Sequence, residues 1–241
     1  RFEKNQLKYL ADKLKCSHDE LRFILEDIDD SYYEYSKYKK DKDGFIKTYI
    51  DGTPKKRTIT PSKGALKKIQ SSIKRNILDN VDIPIHIQGG VRGKSNISNA
   101  KVHQGKKYKF TTDLQDFFPA VKNSLVYSVF LRLGFTNVQA NWLTRLTTYK
   151  YGLPQGAPTS PGLSNLSFIP IDEKLILVCK SNAITYTRYI DDLTFSSAND
   201  FKDKIPELIS IVINGGFKIS YRKTLYCGKQ TITGIDVGNN S

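Results

Sequence analysis

The sequence predicts an α/β chain of the α+β kind, and three observations carry that expectation. Residues 185–196 alternate in period two on both sides of Asp191-Asp192, so they form two strands joined by a tight turn. Residues 108–113 form a short strand, and Leu125, Val129, Phe130 and Leu133 place a helix soon after it. Leu7, Leu10 and Leu14, then Leu21, Ile24, Leu25 and Ile28, give two amino-terminal helices of period 3.6.

In chain order, the first helix spans Asn5 to Leu14, and Ser17 with Glu20 supplies a capping box for the second. Tyr32, Tyr33, Tyr35 and Tyr38 follow, interleaved with Lys37, Lys39 and Lys40. They read as a half-buried helix face, or else as rings that stack on bases beside phosphate-neutralising lysines. Phe45 to Ile50, the turn Asp51-Gly52 and Lys55 to Ser62 read as a hairpin. Ser62 is expected to cap a helix with Leu66, Ile69, Ile73 and Ile77 on one face and Lys67, Lys68, Lys74 and Arg75 on the other. After the strand 108–113, Asp116-Phe-Phe-Pro119 breaks the chain direction, and Asn123 is expected to cap the next helix, which ends at Gly134. The segment 153–166 contains three prolines and two glycines, so it is a shaped loop. Ser160-Pro161 opens a helix from it, and Pro170 is expected to kink that helix or cut it short.

Chemistry concentrates in carboxylates. Two adjacent aspartates at a hairpin tip repel each other and are held comfortably by cations, although Asp-Asp alone also reads as an ordinary polar turn. Two-metal nucleotidyl transfer needs carboxylates from separate strands holding ions about 3.5–4 Å apart. Asp113, at the end of an earlier strand, is the candidate third member; alone it reads as a solvated strand end. Tyr189-Ile-Asp-Asp192 between hydrophobic strands resembles the active-site hairpin of reverse transcriptases, and Leu153-Pro-Gln-Gly-Ala-Pro-Thr-Ser-Pro161 is similar to a motif of their bacterial members, especially retron and defence-associated enzymes. Asn99-Ala-x-x-His103-x-Gly105, Tyr221-Arg-Lys-Thr224 and Thr231-Ile-Thr-Gly-Ile235 resemble further segments of that family. Ile190 departs from it, since retron enzymes more often carry alanine there.

The resemblance runs from about Lys55 to Val237 and implies the palm and fingers of a right-hand polymerase, with an antiparallel palm sheet backed by helices. The implied segments are an amino-terminal helical part over 1–40, fingers over 41–105 with part of 122–150, and a palm over 106–241. The family's thumb would lie beyond Ser241 and is absent from this chain. The implied activity is RNA-directed DNA synthesis, with Asp113, Asp191 and Asp192 catalytic and, with the Leu114 backbone, binding two Mg²⁺ ions for which Mn²⁺ can substitute. Arg57, Asp116, Phe117, Phe118, Gln155 and Lys223 are the implied nucleotide-binding residues. Arg57 grips the triphosphate (it also reads as a solvated strand charge), Lys223 is a general acid, and Phe118 is a steric gate against ribose unless both phenylalanines are core anchors. Lys67, Lys68, Lys74, Arg75, Gly156 and Tyr189 are the expected nucleic-acid contacts, while His103 is expected to be structural. The implied partners are an RNA template, a DNA or RNA primer and deoxynucleoside triphosphates, joined in a retron by a structured noncoding RNA and an effector protein. Untemplated or protein-primed DNA synthesis shares all these residues, and a catalytically silent nucleic-acid-binding module is the remaining alternative.

Bulk properties agree. The 241 residues are 39% hydrophobic, enough for one or two cores, and the net charge of +14 suggests a polyanionic partner, although ribosomal and membrane-surface proteins share it. Three cysteines without metal-ligand spacing suggest a reducing, cytoplasmic location, and no run approaches a membrane span or a secretory signal. With no methionine and Arg1 first, the sequence is expected to lack its start or to have segments omitted.

Overall fold

The computed structural model describes residues 2–41, 43–228 and 230–237. Its helices are α1 (Phe2–Leu14), α2 (His18–Glu26), α3 (Gly64–Asn76), α4 (Asn96–Val102), α5 (Phe117–Ala120), α6 (Asn123–Arg132), α7 (Asn137–Thr147), α8 (Ser160–Ser181) and α9 (Ile205–Asn214). The strands are β1 (Tyr35–Tyr38), β2 (Lys56–Ile59), β3 (Tyr108–Asp113), β4 (Thr185–Tyr189), β5 (Asp192–Ser197), β6 (Leu225–Cys227), β7 (Gln230–Ile232) and β8 (Ile235–Val237). The chain divides into two compact units, residues 1–81 with 121–163 and residues 82–120 with 164–241. Residues 82–105 therefore group with the sheet strands, and residues 121–163 with the amino-terminal helices.

The first unit is a helical body carrying a strand ribbon. Leu10, Leu14, Leu21, Ile69, Ile73 and Leu143 are all buried, from helices α1, α2, α3 and α7 that pack on one another. The Ser17 hydroxyl caps α2 by accepting the Glu20 amide at 3.0 Å. Ser62 does not cap α3, which starts after Lys63. Its hydroxyl instead donates to Gln70 Oε1 at 2.6 Å, and Gln70 Nε2 donates to Tyr32 Oη and to the Leu146 carbonyl, both at 2.8 Å. A fully buried amide has to find partners, and that demand outweighs one helix cap. Asn123 does not cap α6 either: Lys122 holds the cap position, and Asn123 Oδ1 is buried without a hydrogen-bond partner.

The tyrosine cluster is not a helix face. Tyr35–Tyr38 is strand β1, antiparallel to β2 with Lys37 opposite Arg57 and Tyr38 opposite Lys56, and Tyr33, Tyr35 and Tyr38 are exposed. Residues 39–55 fold back as a second ribbon, with Thr48 opposite Pro54 around Asp51-Gly52. The strand 56–59 therefore pairs with β1 rather than with residues 45–50. Aromatic residues favour strands once a partner is present, and that partner lies far along the chain.

The second unit holds a four-stranded sheet in the order β4-β5-β3-β6, antiparallel throughout. Tyr186, Phe195 and Phe110 stack in sequence across one face, with centroids 4.7 and 5.6 Å apart. Helix α8 backs the sheet, and Phe168 from it meets Phe117 and Phe217 at 5.8 and 5.0 Å. Pro170 does not cut α8 short: the helix runs unbroken from Ser160 to Ser181. Pro170 is exposed while residues 163–168 are buried, so packing of the inner face carries the helix through it. Strands β7 and β8 turn through Thr233 and Gly234, both at positive φ as a type I′ hairpin requires, and pack Ile232 and Val237 against Ala100 of α4.

Candidate active site

The register of the sheet brings the three aspartates together. Asp113, the last residue of β3, pairs with Asp192, the first of β5, so Asp191 lies in the adjoining turn. The Leu114 amide donates to the Asp191 carbonyl at 2.9 Å, and the Ser220 amide donates to the Asp113 carbonyl at 2.8 Å. The Gln115 amide donates to the Lys218 carbonyl at 2.8 Å. Three segments distant in sequence are thereby held by main-chain bonds around one carboxylate cluster.

The carboxylates act on one another across the cluster. Burial, and then the charges of Asp191 and Asp113, push the Asp192 carboxyl up to about 7. The Lys223 ammonium, on the short turn after Ser220, donates to Asp113 Oδ2. Burial lowers the proton affinity of Lys223, but the bond to Asp113 and the charges of Asp113, Asp192 and Asp191 outweigh it, and its pKa rises. A cation is thus already drawn into the cluster. Among the described residues, no three His, Cys, Asp or Glu side chains converge into a finished cation cage. The donors do suit a hard divalent ion: all are oxygens, and their mutual repulsion, which raises Asp192, is what such an ion relieves.

The chain after β3 divides its aromatics as the sequence suggests. Asp116 turns the backbone at φ +48 and is exposed. Phe117 is buried against Phe168 and Phe217, whereas Phe118 is half-buried. Tyr189, opposite Asp192 in register, is also half-buried. Asp113, Leu114, Asp116, Phe117, Phe118, Tyr189, Asp191, Asp192 and Lys223 all belong to the second unit. The other candidates lie in the first. Arg57 is exposed on β2, and the Thr60 amide donates to the Gln155 carbonyl at 2.7 Å, tying the end of β2 to the proline-rich loop. Gly156 has φ +119, and a Cβ there would sit 3.0 Å from Ile59 Cγ2. Lys67, Lys68 and Arg75 line an open cavity of about 840 Å³ with Lys15 and Glu20, whereas Lys74 is paired with Asp79 at 2.7 Å.

Two buried devices support the hairpin strands. The first surrounds His103, whose Nε2 lies 2.7 Å from Thr187 Oγ1 and whose Nδ1 lies 2.6 Å from Ser196 Oγ. The Thr187 hydroxyl donates to Asn99 Oδ1 at 2.7 Å, so His103 Nε2 carries the proton and Nδ1 accepts from Ser196. Burial, with Lys109 and Lys106 nearby, pushes the imidazole down to about 3. The Asn-Ala-x-x-His motif is therefore a neutral latch between α4 and the hairpin strands. A depressed histidine pKa contributes stability that is fully present above the unfolded value of about 6.5 and lost as pH falls toward the folded value. The thermal midpoint should accordingly drop on acidification below about pH 6.5, and more steeply than in His103→Gln, compared by circular dichroism melts from pH 7 to pH 4.

The second device was not singled out from the sequence. Arg188, fully buried on β4, donates from Nη2 to Asp172 Oδ2 at 2.8 Å and from Nε to Asp172 Oδ1 at 3.1 Å. Tyr186 Oη donates to the same carboxylate at 2.7 Å, and the guanidinium lies over the Phe168 ring at 4.8 Å. Burial would raise the Asp172 carboxyl, but the Arg188 charge and these hydrogen bonds hold it below the usual range. The signal that could have found the pair is an arginine inside an otherwise apolar and hydroxylic strand, with an aspartate among the inner residues of an apolar helix.

Known proteins are similar to this chain across these features. A family model described as reverse transcriptase (RNA-dependent DNA polymerase) matches residues 39–235. The retron Ec86 reverse transcriptase of Escherichia coli is 32% identical over 243 residues, covering 96% of this chain and 71% of that protein. The retron Se72 reverse transcriptase of Salmonella heidelberg is 29% identical, covering 94% of this chain and 57% of its own length. The retron Mx162 reverse transcriptase of Myxococcus xanthus is 32% identical, covering 76% and 44%.

Proposed function

This chain belongs to the reverse transcriptase family, and we propose that it extends a primer 3′-hydroxyl with deoxynucleotides on an RNA template, as the polymerase of a retron. The observation that carries the reading is the register of Asp113 against Asp192 with Asp191 in the adjoining turn, three carboxylates from two distant segments in one electrostatic cluster. Asp113, Asp191, Asp192 and the Leu114 carbonyl would hold two divalent ions, Mg²⁺ or Mn²⁺. When bound, these supply a lowered pKa at the 3′-hydroxyl and charge neutralisation on the triphosphate.

The chain's own residues do the rest. Lys223, held protonated at neutral pH by its carboxylate neighbours, can pass a proton to the departing pyrophosphate once nucleotide phosphates compete for it. Arg57 matches phosphate oxygens with its planar fork, and Gln155 with Gly156 shapes the loop for a base pair. Lys67, Lys68 and Arg75 neutralise template phosphates; Lys74 joins them only by leaving Asp79. The amino-terminal helical part, fingers and palm are proposed over residues 1–40, 41–105 with part of 122–150, and 106–241. As a retron polymerase the chain would have a structured noncoding RNA and an effector protein as partners. The three cysteines support a reducing cytoplasmic compartment. Among the described residues, no helix is long and apolar enough to cross a membrane.

Incubation with a DNA primer annealed to RNA, four deoxynucleotides and Mg²⁺ should extend the primer. A protein that binds the duplex but extends nothing in Mg²⁺ or Mn²⁺ would overturn the proposal.

Sugar selection separates the adjacent phenylalanines. The half-buried Phe118 ring would occupy the space of a ribose 2′-hydroxyl, leaving that hydroxyl clashing or unpaired. Phe118→Ala should raise kcat/KM for ribonucleotides relative to deoxyribonucleotides. Phe117→Ala should leave the ratio unchanged and cost about 3–5 kcal/mol of stability, because that ring is buried among Phe168 and Phe217. Unchanged discrimination in the first variant, or altered discrimination only in the second, would remove Phe118 from the gate.

A further inference from the structure

We propose that Gly89 and Asn165 are positioning residues which, with Arg188, fix the strained peptide at Ile190 and so set where Asp191 and Asp192 stand against Asp113. The proposal rests on reading that cluster as a polymerase site.

Ile190 is β-branched yet adopts φ +58. Its Cβ is crowded in that left-handed region, and such a conformation persists only where the surroundings over-determine it. Three hydrogen bonds and one steric contact do so. Arg188 Nη1 donates to the Ile190 carbonyl at 3.1 Å and to Asn165 Oδ1 at 2.9 Å. Asn165 Nδ2 donates in turn to the Gly89 carbonyl at 2.9 Å. The fourth contact is steric: a Cβ on Gly89 would lie 2.5 Å from the Ile190 nitrogen and 2.7 Å from the Tyr189 carbonyl carbon. Those are backbone atoms, so the turn itself would have to move. Main-chain bonds press the same segment onto β4: the Arg188 amide donates to the His86 carbonyl at 2.9 Å, and the Gln88 amide donates to the Arg188 carbonyl at 2.8 Å.

Asn165 is buried, and both ends of its amide are in use, so its orientation is fixed by a guanidinium on one side and a carbonyl on the other. The chain thus runs from a loop glycine through a helix amide and a strand arginine to the peptide preceding the two aspartates. Asp172 neutralises Arg188 independently, so cutting the link at Asn165 does not orphan the buried charge. A structural residue lost here would lower stability; a positioning residue lost here displaces carboxylates. A displacement of about 1 Å at a reacting centre costs roughly 10²-fold in rate, and weakened support behind metal-binding groups costs about 10–100-fold in metal affinity.

Asn165→Leu keeps the volume and removes both hydrogen bonds, whereas Gly89→Ala pushes the turn directly. Each variant is measured three ways: steady-state extension on an RNA template, Mn²⁺ binding by electron paramagnetic resonance without nucleotide, and thermal melting. We expect kcat to fall by roughly 10²-fold with KM for deoxynucleotide nearly unchanged, and Mn²⁺ affinity to fall by about tenfold or more, in protein that is folded at the assay temperature. If Gly89→Ala is folded and keeps both kcat and Mn²⁺ affinity within about twofold of the parent, the proposal is wrong. Loss of activity only in proportion to loss of fold, in both variants, would make these residues structural and overturn it equally. A parent protein that binds Mn²⁺ more tightly than its variants yet makes no DNA would refute the polymerase reading and leave the positioning role standing.

Discussion

Asp191→Asn should reduce primer extension by roughly 10³-fold or more while leaving the fold intact, because the amide keeps the shape of the carboxylate and loses its charge. The Asp191 carbonyl, which accepts the Leu114 amide, belongs to the backbone and survives the substitution. The charge removed is also one of those that push Asp192 up to about 7, so repulsion within the cluster falls. Thermal stability without metal should therefore be equal to the parent's or slightly higher, whereas the activity is lost. Loss of stability together with activity would mean that the aspartate serves the fold. Substantial synthesis by the folded variant in Mg²⁺ would remove Asp191 from the catalytic set.

Breaking the buried ion pair should produce the largest loss of stability. Arg188 and Asp172 are both fully buried, with two nitrogens of the guanidinium on the carboxylate. Removal of one partner leaves an uncompensated charge in the interior and typically costs about 3–5 kcal/mol. Asp172→Leu should show that loss in urea unfolding. Arg188→Leu in the same background should restore part of it, because the orphaned charge is gone. It should not restore kcat, since Arg188 also holds the Ile190 carbonyl. Equal stability of the single and double variants would show that the Asp172 charge is not what Arg188 compensates.

The sequence made the strands that carry the three aspartates legible because their signal is local. Alternation over residues 185–196 places a turn at Asp191-Asp192, and the strand 108–113 ends at Asp113 as read. Phe117 is buried and Phe118 half-buried, but they lie in the short helix α5 and not at a strand end, so the expected alternation is not what divides them. Features that depend on distant partners were not legible. Tyr35–Tyr38 is a strand only because Lys56–Ile59 lies beside it, and Ser62 gives up its helix cap because the buried Gln70 Oε1 accepts its hydroxyl proton instead. Arg188 reads as a polar strand position until Asp172 arrives from α8 to bury with it. The support beneath the turn was hidden for the same cause: Gly89, Asn165 and Ile190 are separated by long stretches of chain, and only the strained backbone of Ile190 marks where they meet.

The central claim, template-directed DNA synthesis on RNA, is tested most directly by sequencing the product. The chain is given a primer annealed to an RNA of defined, non-repetitive sequence, with all four deoxynucleotides and Mg²⁺, and a parallel reaction omits the template. The account predicts extension products complementary to the RNA and no comparable product without it. Products of the same composition with and without template, or sequences unrelated to the RNA supplied, would contradict it and identify an untemplated polymerase built on the same three aspartates.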